Sequence, residues 1–325
     1  MRVFISGATG FLGGALARAL AQEGAEVHAL RRSSSDRSAL HDVAITWHEG
    51  DVTAPASFGD ALAGATWIIH AAGRLGQANV PEEVYHRLHV EGTRNVMAAA
   101  LAAGNQPRVL HVSSAGVLGP NTGGPAAEDA PYGPTNPYER TKAAAERVAQ
   151  EFASRGLPVV ICRPTFVYGP GDRHVLGLFQ AVRRGRFFYI EGGRHLCHPT
   201  FLADAVAGML LCLRGGRPGA IYHIAGPCPV TFRKLAETIA TTLGVRPPWI
   251  SVPRWCAMLI ALGFEALGHV SGRKPPLSRT GVAFFSEDRL YSWQRVHNEL
   301  GYTPEYDLAK GVALTIAWYR QHRWL

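Results

Sequence analysis

Two residues into the chain a short apolar run, Val3 to Ile5, feeds a turn with glycines at positions 7, 10 and 13, and an alanine-rich helical pattern, Ala15 to Gln22, follows directly. This order of strand, glycine turn and helix restricts the possible folds more than any other stretch of the 325 residues. Glycine lets the backbone turn sharply and come close to other atoms. The free N–H groups at the helix start then suit the negative oxygens of a nucleotide diphosphate. The spacing is Gly-x-x-Gly-x-x-Gly, and a tight β–α turn without a ligand is the alternative reading of this loop alone.

The pattern continues. β-type runs at 3–6, 26–30, 45–49, 67–71, 109–112 and 159–163 alternate with helical patterns at 15–23, 58–62, 81–103 and 136–155. The alternation predicts an α/β fold, a Rossmann-type doubly wound parallel sheet that binds ligands at the C-terminal ends of its strands. In the second half Pro, Gly and aromatic residues become frequent. Helices are expected there at 201–213, 231–243 (with Thr231 as N-cap) and 308–320, and a strand at 220–224. This half reads as a smaller, mostly helical C-terminal lobe that covers the substrate. Residues 1–165 with about 196–226 are assigned to the dinucleotide-binding domain, and about 166–195 and 227–325 to the substrate-binding lobe. Trp255 to Leu267 is the most apolar helical stretch; packing in the core or against substrate is its expected use, with peripheral contact to a membrane surface as the alternative.

The charge is +8, yet the densest basic groups are only Arg31-Arg32, residues 183–186 and Arg214 to Arg217. A nucleic-acid partner would need a denser stripe with aromatic platforms, so none is expected. Five scattered cysteines without metal-ligand spacing predict reduced thiols, a cytoplasmic location and no metal site. Nothing precedes the first strand, so no signal peptide is expected, and no apolar run of about 18 residues predicts a membrane span.

A second stretch carries chemistry. Tyr138 and Lys142, four apart on a helix, share one face. A phenol is a poor acid or base at neutral pH, and an adjacent ammonium is expected to lower its pKa. Ser113 and Ser114 end a strand, where a hydroxyl is placed to orient a substrate oxygen.

On these residues the chain resembles the extended short-chain dehydrogenase/reductase family over essentially its whole length. The resemblance places the cofactor on Gly7, Thr9, Gly10, Phe11, Leu12 and Gly13, on Asp51-Val52, on Ala71-Ala72-Gly73 after His70, on Ser113, and on Pro164, Thr165 and Val167. It implies hydride transfer, with Tyr138 as acid/base, Lys142 supporting it and holding the cofactor, and Ser114 orienting the substrate oxygen. Phe166 and Tyr168 are the expected substrate contacts. Asp204 and Leu300 to Pro304 match later family signatures. One departure is His89, which stands where the family usually has Asn; a polar helix residue satisfied by neighbours is its expected role.

The end of the second strand, Ala29-Leu30-Arg31-Arg32-Ser33, has no carboxylate for ribose hydroxyls. Arg31, Arg32 and Ser33 would suit a 2′-phosphate, so NADP(H) is expected, with NAD(H) as the alternative. Sugar dehydratases of the family carry Asp-Glu where Ala115-Gly116 stands, and nucleotide-sugar epimerases carry Asn at Phe166. The second half instead resembles the 3β-hydroxysteroid dehydrogenase-like branch, which implies a small hydrophobic substrate. Phe166, Phe187, Phe188, Trp255, Phe264, Phe284 and Phe285 are the pocket candidates. The competing readings are a nucleotide-sugar epimerase with tightly held NAD and a non-catalytic dinucleotide-binding protein. Family analogy implies a homodimer paired through helices 81–103 and 136–155.

Overall fold

The computed structural model describes residues 1–77, 80–271 and 275–325. The first half runs β1 (Arg2–Ser6), α1 (Phe11–Gln22), β2 (Glu26–Arg31), β3 (Ile45–Glu49), β4 (Trp67–His70), α2 (Glu82–His86), α3 (Gly92–Ala102), β5 (Arg108–Val112), α4 (Pro137–Ser154) and β6 (Val159–Pro164). The second half runs β7 (Phe166–Tyr168), α5 (Leu176–Arg183), β8 (Tyr189–Ile190), β9 (Leu196–Cys197), β10 (Pro199–Phe201), α6 (Leu202–Gly215), β11 (Ile221–Ile224) and β12 (Val230–Thr231). It ends with α7 (Phe232–Leu243), β13 (Ser251–Val252), α8 (Arg254–Ser271), α9 (Arg279–Phe285), α10 (Gln294–Leu300) and α11 (Leu308–Gln321).

Seven strands form one parallel sheet in the order β11-β6-β5-β4-β1-β2-β3. The order reverses between β1 and β4, so the crevice expected for a ligand opens beyond their C-terminal ends. All six residues of β6 are buried, and four of the five in β1. Period-two alternation is absent there because helices cover both sheet faces. Leu16 and Leu20 of α1 and Met209 and Leu213 of α6 fill one face. Val96 and Met97 of α3 and Val148 and Phe152 of α4 fill the other.

Local signals account for the long helices. Asn136 accepts the Glu139 N–H at 3.0 Å, and Pro137 takes the first helical position of α4. The helix expected over 81–103 is one helical run containing a π turn at Arg87–Glu91 between α2 and α3. A separate lobe core gathers Phe179 of α5, Phe232 and Ile239 of α7, and Val312 and Ile316 of α11.

Two assignments change. Helices α5, α9 and α10, of eight, seven and seven residues, were not expected, because such short segments show too little periodicity to read. Residues 294–302, placed with the lobe on sequence, return to the sheet: Val296 and Tyr302 are buried in the same core as α1 and α6. Asp204 at the start of α6 explains part of this return. Its carboxylate accepts the Glu305 and Tyr306 N–H groups at 2.9 and 3.1 Å and so ties the C-terminal segment down.

Candidate active site

Past β1 the backbone makes the cradle. Gly7 has φ +83°, and a Cβ there would lie 2.5 Å from the Ala71 carbonyl carbon after β4. A Cβ on Gly13 would overlap the Gly7 carbonyl oxygen. The two glycines therefore let α1 press against the strand ends at the point where the sheet order reverses. Gly10 caps α1 with no side-chain acceptor, which leaves the first N–H groups of the helix for a ligand.

A cleft of about 1580 Å³ runs from this cradle past Ser114, Tyr138 and Lys142 to an aromatic wall. Of the residues assigned to the cofactor on sequence, Gly7, Gly10, Phe11, Leu12, Gly13, Ala71, Gly73, Ser113, Pro164, Thr165 and Val167 line it. Thr9, Arg31, Arg32, Ser33, Asp51, Val52 and Ala72 lie outside the lining. Thr9, Arg32 and Ser33 are exposed, and Arg31 pairs with Glu49 of β3 at 3.1 Å. Asp51 is turned to its own loop, accepting the Thr53 N–H and hydroxyl at 2.9 Å each. Val52 is buried in the core, and its carbonyl accepts the Asn95 amide at 2.8 Å.

Lys142 donates from Nζ to the Val112 carbonyl at 2.7 Å, which joins α4 to the end of β5. Burial lowers its pKa to about 8. Tyr138 moves the other way: burial pushes its phenol up to about 12, against the lowering effect of its hydrogen bond to Ser114. Lys142 does not counter this rise: its ammonium is turned to the Val112 carbonyl, and desolvation of the phenolate dominates. Ser114 caps a short turn by accepting the Gly116 N–H at 3.2 Å. The Ser113 hydroxyl, by contrast, donates inward to Glu146 at 2.7 Å. Glu146 also accepts from Tyr132 at 2.9 Å and from the Nε and Nη2 of the buried Arg163. This network fastens α4 to β6 directly beneath the site.

His89 sits within the π turn, buried, with its ring 5.7 Å from that of Tyr138 in an edge-on arrangement. Its Nε2 accepts the Arg74 N–H at 3.1 Å. Its Nδ1–H therefore donates to the Thr141 hydroxyl at 3.0 Å, and that hydroxyl donates on to the Pro137 carbonyl at 2.9 Å. Burial and the nearby Lys142 lower the His89 pKa to about 3, so the ring is neutral. The residue is satisfied by neighbours, as expected, but those neighbours are the cleft loop and the first turn of α4. A similar chain lies behind it: Ser6 donates to His70 Nδ1 at 2.7 Å, and His70 Nε2–H donates to Thr93 at 3.0 Å.

At the far end the rings converge. Phe166 meets Phe284 edge-on at 5.4 Å, Phe187 meets Phe285 at 5.8 Å, and Phe188 and Phe264 also line the cleft. Two expected contacts fail. Tyr168 is 3% exposed, stacked among Phe166 and Phe201 against Gly311 in the lobe core, and does not reach the cleft. Trp255 is 66% exposed on the outer surface of α8, because Ala257 and Ala261 turn inward in its place.

Two lining groups, Arg289 and Glu287, were missed on sequence: Arg289 bridges Glu139 at 2.7 Å and Glu287 at 3.3 Å. Asp172, also in the lining, is a buried carboxyl pushed up to about 6 by desolvation. Glu139 and Arg289 lie 150 positions apart, so no spacing could have paired them.

Comparison with known proteins agrees with this geometry. Residues 3–225 match the model of the NAD dependent epimerase/dehydratase family. The chain is 30% identical to a 4-hydroxy-2-methyl-3-oxo-4-farnesyl-3,4-dihydroquinoline-1-oxide ketoreductase of Stigmatella aurantiaca, over 93% of this chain and 92% of that one. It is also 30% identical to sterol demethylase protein B of Methylococcus capsulatus, over 99% of both. The structure of DesIV, a dTDP-glucose 4,6-dehydratase from Streptomyces venezuelae with NAD and TYD bound, superposes with a TM-score of 0.82 at 26% identity, covering 99% of this chain and 98% of that one. With its parallel sheet, switch-point cradle and family match, the chain belongs to the NAD-dependent epimerase/dehydratase family of extended short-chain dehydrogenases/reductases, and it is an NAD(P)-dependent enzyme.

Proposed function

We propose that the protein is an NADP(H)-dependent oxidoreductase that interconverts a ketone and a secondary alcohol on a hydrophobic substrate: sterol-like, polyketide-like or long-chain β-keto. One observation carries the reading: a single cleft holds Ser114, Tyr138 and Lys142 between a glycine cradle and a wall of phenylalanines that includes Phe166. The farnesyl-quinoline ketoreductase and the sterol-named relative support the substrate class.

The residues present fit a nicotinamide dinucleotide. Gly7 and Gly13 keep clear the space that a Cβ would fill, and the uncapped start of α1 offers N–H groups to a diphosphate. Bound there, the dinucleotide supplies or accepts the hydride. The chain's own groups manage the proton. At neutral pH Tyr138 keeps its proton, so it is set as the donor to the substrate oxygen during reduction. The Ser114 hydroxyl orients that oxygen. Lys142, titrating near 8, is mostly charged at neutral pH and sits on the Tyr138 face of α4. The phenylalanines exclude water from the reacting centre.

Of the groups past β2, Arg31 shares its charge with Glu49. Contact with a 2′-phosphate therefore rests chiefly on Arg32 and Ser33, which are exposed. A cytoplasmic homodimer paired through residues 81–103 and 136–155 completes the proposal, and light scattering of the purified protein checks the dimer.

The competing reading, a nucleotide-sugar epimerase with tightly held NAD, draws support from the dehydratase structure with NAD bound. Against it stands Phe166, whose ring cannot replace an amide on a polar headgroup. The deciding experiment titrates NADPH and NADH and then assays apolar ketones beside nucleotide sugars. The proposal predicts tighter NADPH binding and turnover of the ketones. Tighter NADH binding would contradict the cofactor assignment, and conversion of nucleotide sugars alone would favour the epimerase.

A further inference from the structure

We infer that the outward face of α8, together with Trp249 and Ile250, is a docking surface for an anionic lipid bilayer. Along this face Trp255, Leu259, Ile260, Leu262, Phe264 and Leu267 are exposed, with Leu259 at 61% and Leu267 at 65%. The one charged side chain between Trp255 and Gly268 is Glu265, and it is buried, accepting from the Arg279 backbone and side chain at 2.8 and 2.7 Å. The inward face is apolar as well: Ala257 and Ala261 pack with Ile190 and Val282. A helix that is apolar all round needs cover on both sides. No helix among the described residues is long and apolar enough to cross a membrane, so α8 is suited to lying along one.

Charge decides between a bilayer and a second copy of the chain. β13 pairs with β8, and the Tyr189 N–H donates to the Ile250 carbonyl at 2.9 Å. That pairing sets the segment that carries Trp249 and Ile250 beside β8, which begins three residues after the exposed Arg186 at the cleft edge, and the exposed Arg246 precedes Trp249 by three residues. Trp249 itself is 86% exposed. Exposed tryptophans beside arginines match the boundary between acyl chains and anionic headgroups. Self-association through a two-fold axis would instead set like charges against like.

The face also meets the cleft, because the exposed Phe264 of α8 lines it together with Pro275, Pro276 and Leu277. Docking would hold the rim at the bilayer surface, where an apolar substrate partitions. This orientation rests on the hydrophobic-substrate reading; the docking does not.

The test sediments the full-length protein with phosphatidylcholine vesicles, with and without phosphatidylglycerol. Binding is expected to the phosphatidylglycerol vesicles and to weaken with added salt. Leu259→Glu with Leu262→Glu should lower the vesicle-bound fraction roughly tenfold or more while NADPH affinity and melting temperature stay unchanged. Trp249→Ser, outside the helix, should weaken binding in the same direction. The inference is overturned if phosphatidylglycerol vesicles sediment no protein, or if these substitutions leave binding intact. It is equally overturned if light scattering shows a dimer that the α8 substitutions dissociate, with no vesicle binding by either form. None of these outcomes uses turnover, so each is distinct from failure of the ketone reading.

Discussion

At its inner end the cleft is made of backbone: Gly7 and Gly13 admit no side chain, and the start of α1 presents bare N–H groups. At its outer end it is made of side chains: Phe166 from β7, Phe187 before β8, and Phe284 and Phe285 from α9. The inner surface tolerates nothing larger than hydrogen at two positions, so it holds one class of ligand. The outer surface is a packed cluster of rings, and packing can be rearranged with little loss if volume is kept. A family can therefore keep the first surface while it changes what the second accepts.

Substitutions that act on one end alone test whether the two ends work independently. The largest effect is expected from Gly13→Val, whose side chain would overlap the Gly7 carbonyl; calorimetric titration should find dinucleotide binding lost. Binding within a few-fold of wild type would mean that the cradle is not built by close approach. Next, Phe166→Asn should raise KM for an apolar ketone about tenfold, as expected for losing most of a ring's burial, while the NADPH Kd stays unchanged. A matching change in NADPH affinity would show that the two ends are not separable. A smaller effect follows from His89→Ala, which removes the link between Arg74 and Thr141. Both ring hydrogen bonds are lost, at about 0.5 kcal/mol net each, so kcat should fall roughly fivefold with NADPH Kd nearly constant.

The smallest effect concerns pH. Lys142 is held at about 8, below its unfolded value of 10.5, so the unfolded chain binds the extra proton between these limits. Its contribution to stability is present above 10.5 and is lost as pH falls through 8. Wild-type melting temperature should therefore gain from this group as pH rises from 8 toward 10, and Lys142→Met should flatten that gain. An equal slope in the variant would contradict the buried, depressed lysine.

The same contrast explains what could be read from the chain. The cradle, the strand alternation and the Tyr138–Lys142 pair depend on neighbours within about one helical turn or one β–α unit, where spacing is informative. The aromatic wall depends on β7, α9 and the segment before β8, which only tertiary packing brings together, and two of its expected members were misplaced. Tyr168 was drawn away by the small residue Gly311 on α11, which leaves room for its ring in the lobe core. Trp255 was expected inward because apolar residues usually face a core; α8 instead buries Ala257 and Ala261 and turns its large side chains out. The Glu146–Arg163 bond under the site was also missed, since it joins a helix and a strand 17 positions apart that only the folded sheet aligns.

Tyr138 is proposed to move the proton in a cleft whose inner end holds the dinucleotide independently of it. Single-turnover reduction of an apolar ketone by the Tyr138→Phe variant, followed at the NADPH absorbance with NADPH Kd measured on the same sample, tests it most directly. The expected rate is lower by roughly 10²–10⁴-fold, with Kd within about twofold of wild type. A retained rate, or a loss of NADPH binding as large as the loss of rate, would contradict it.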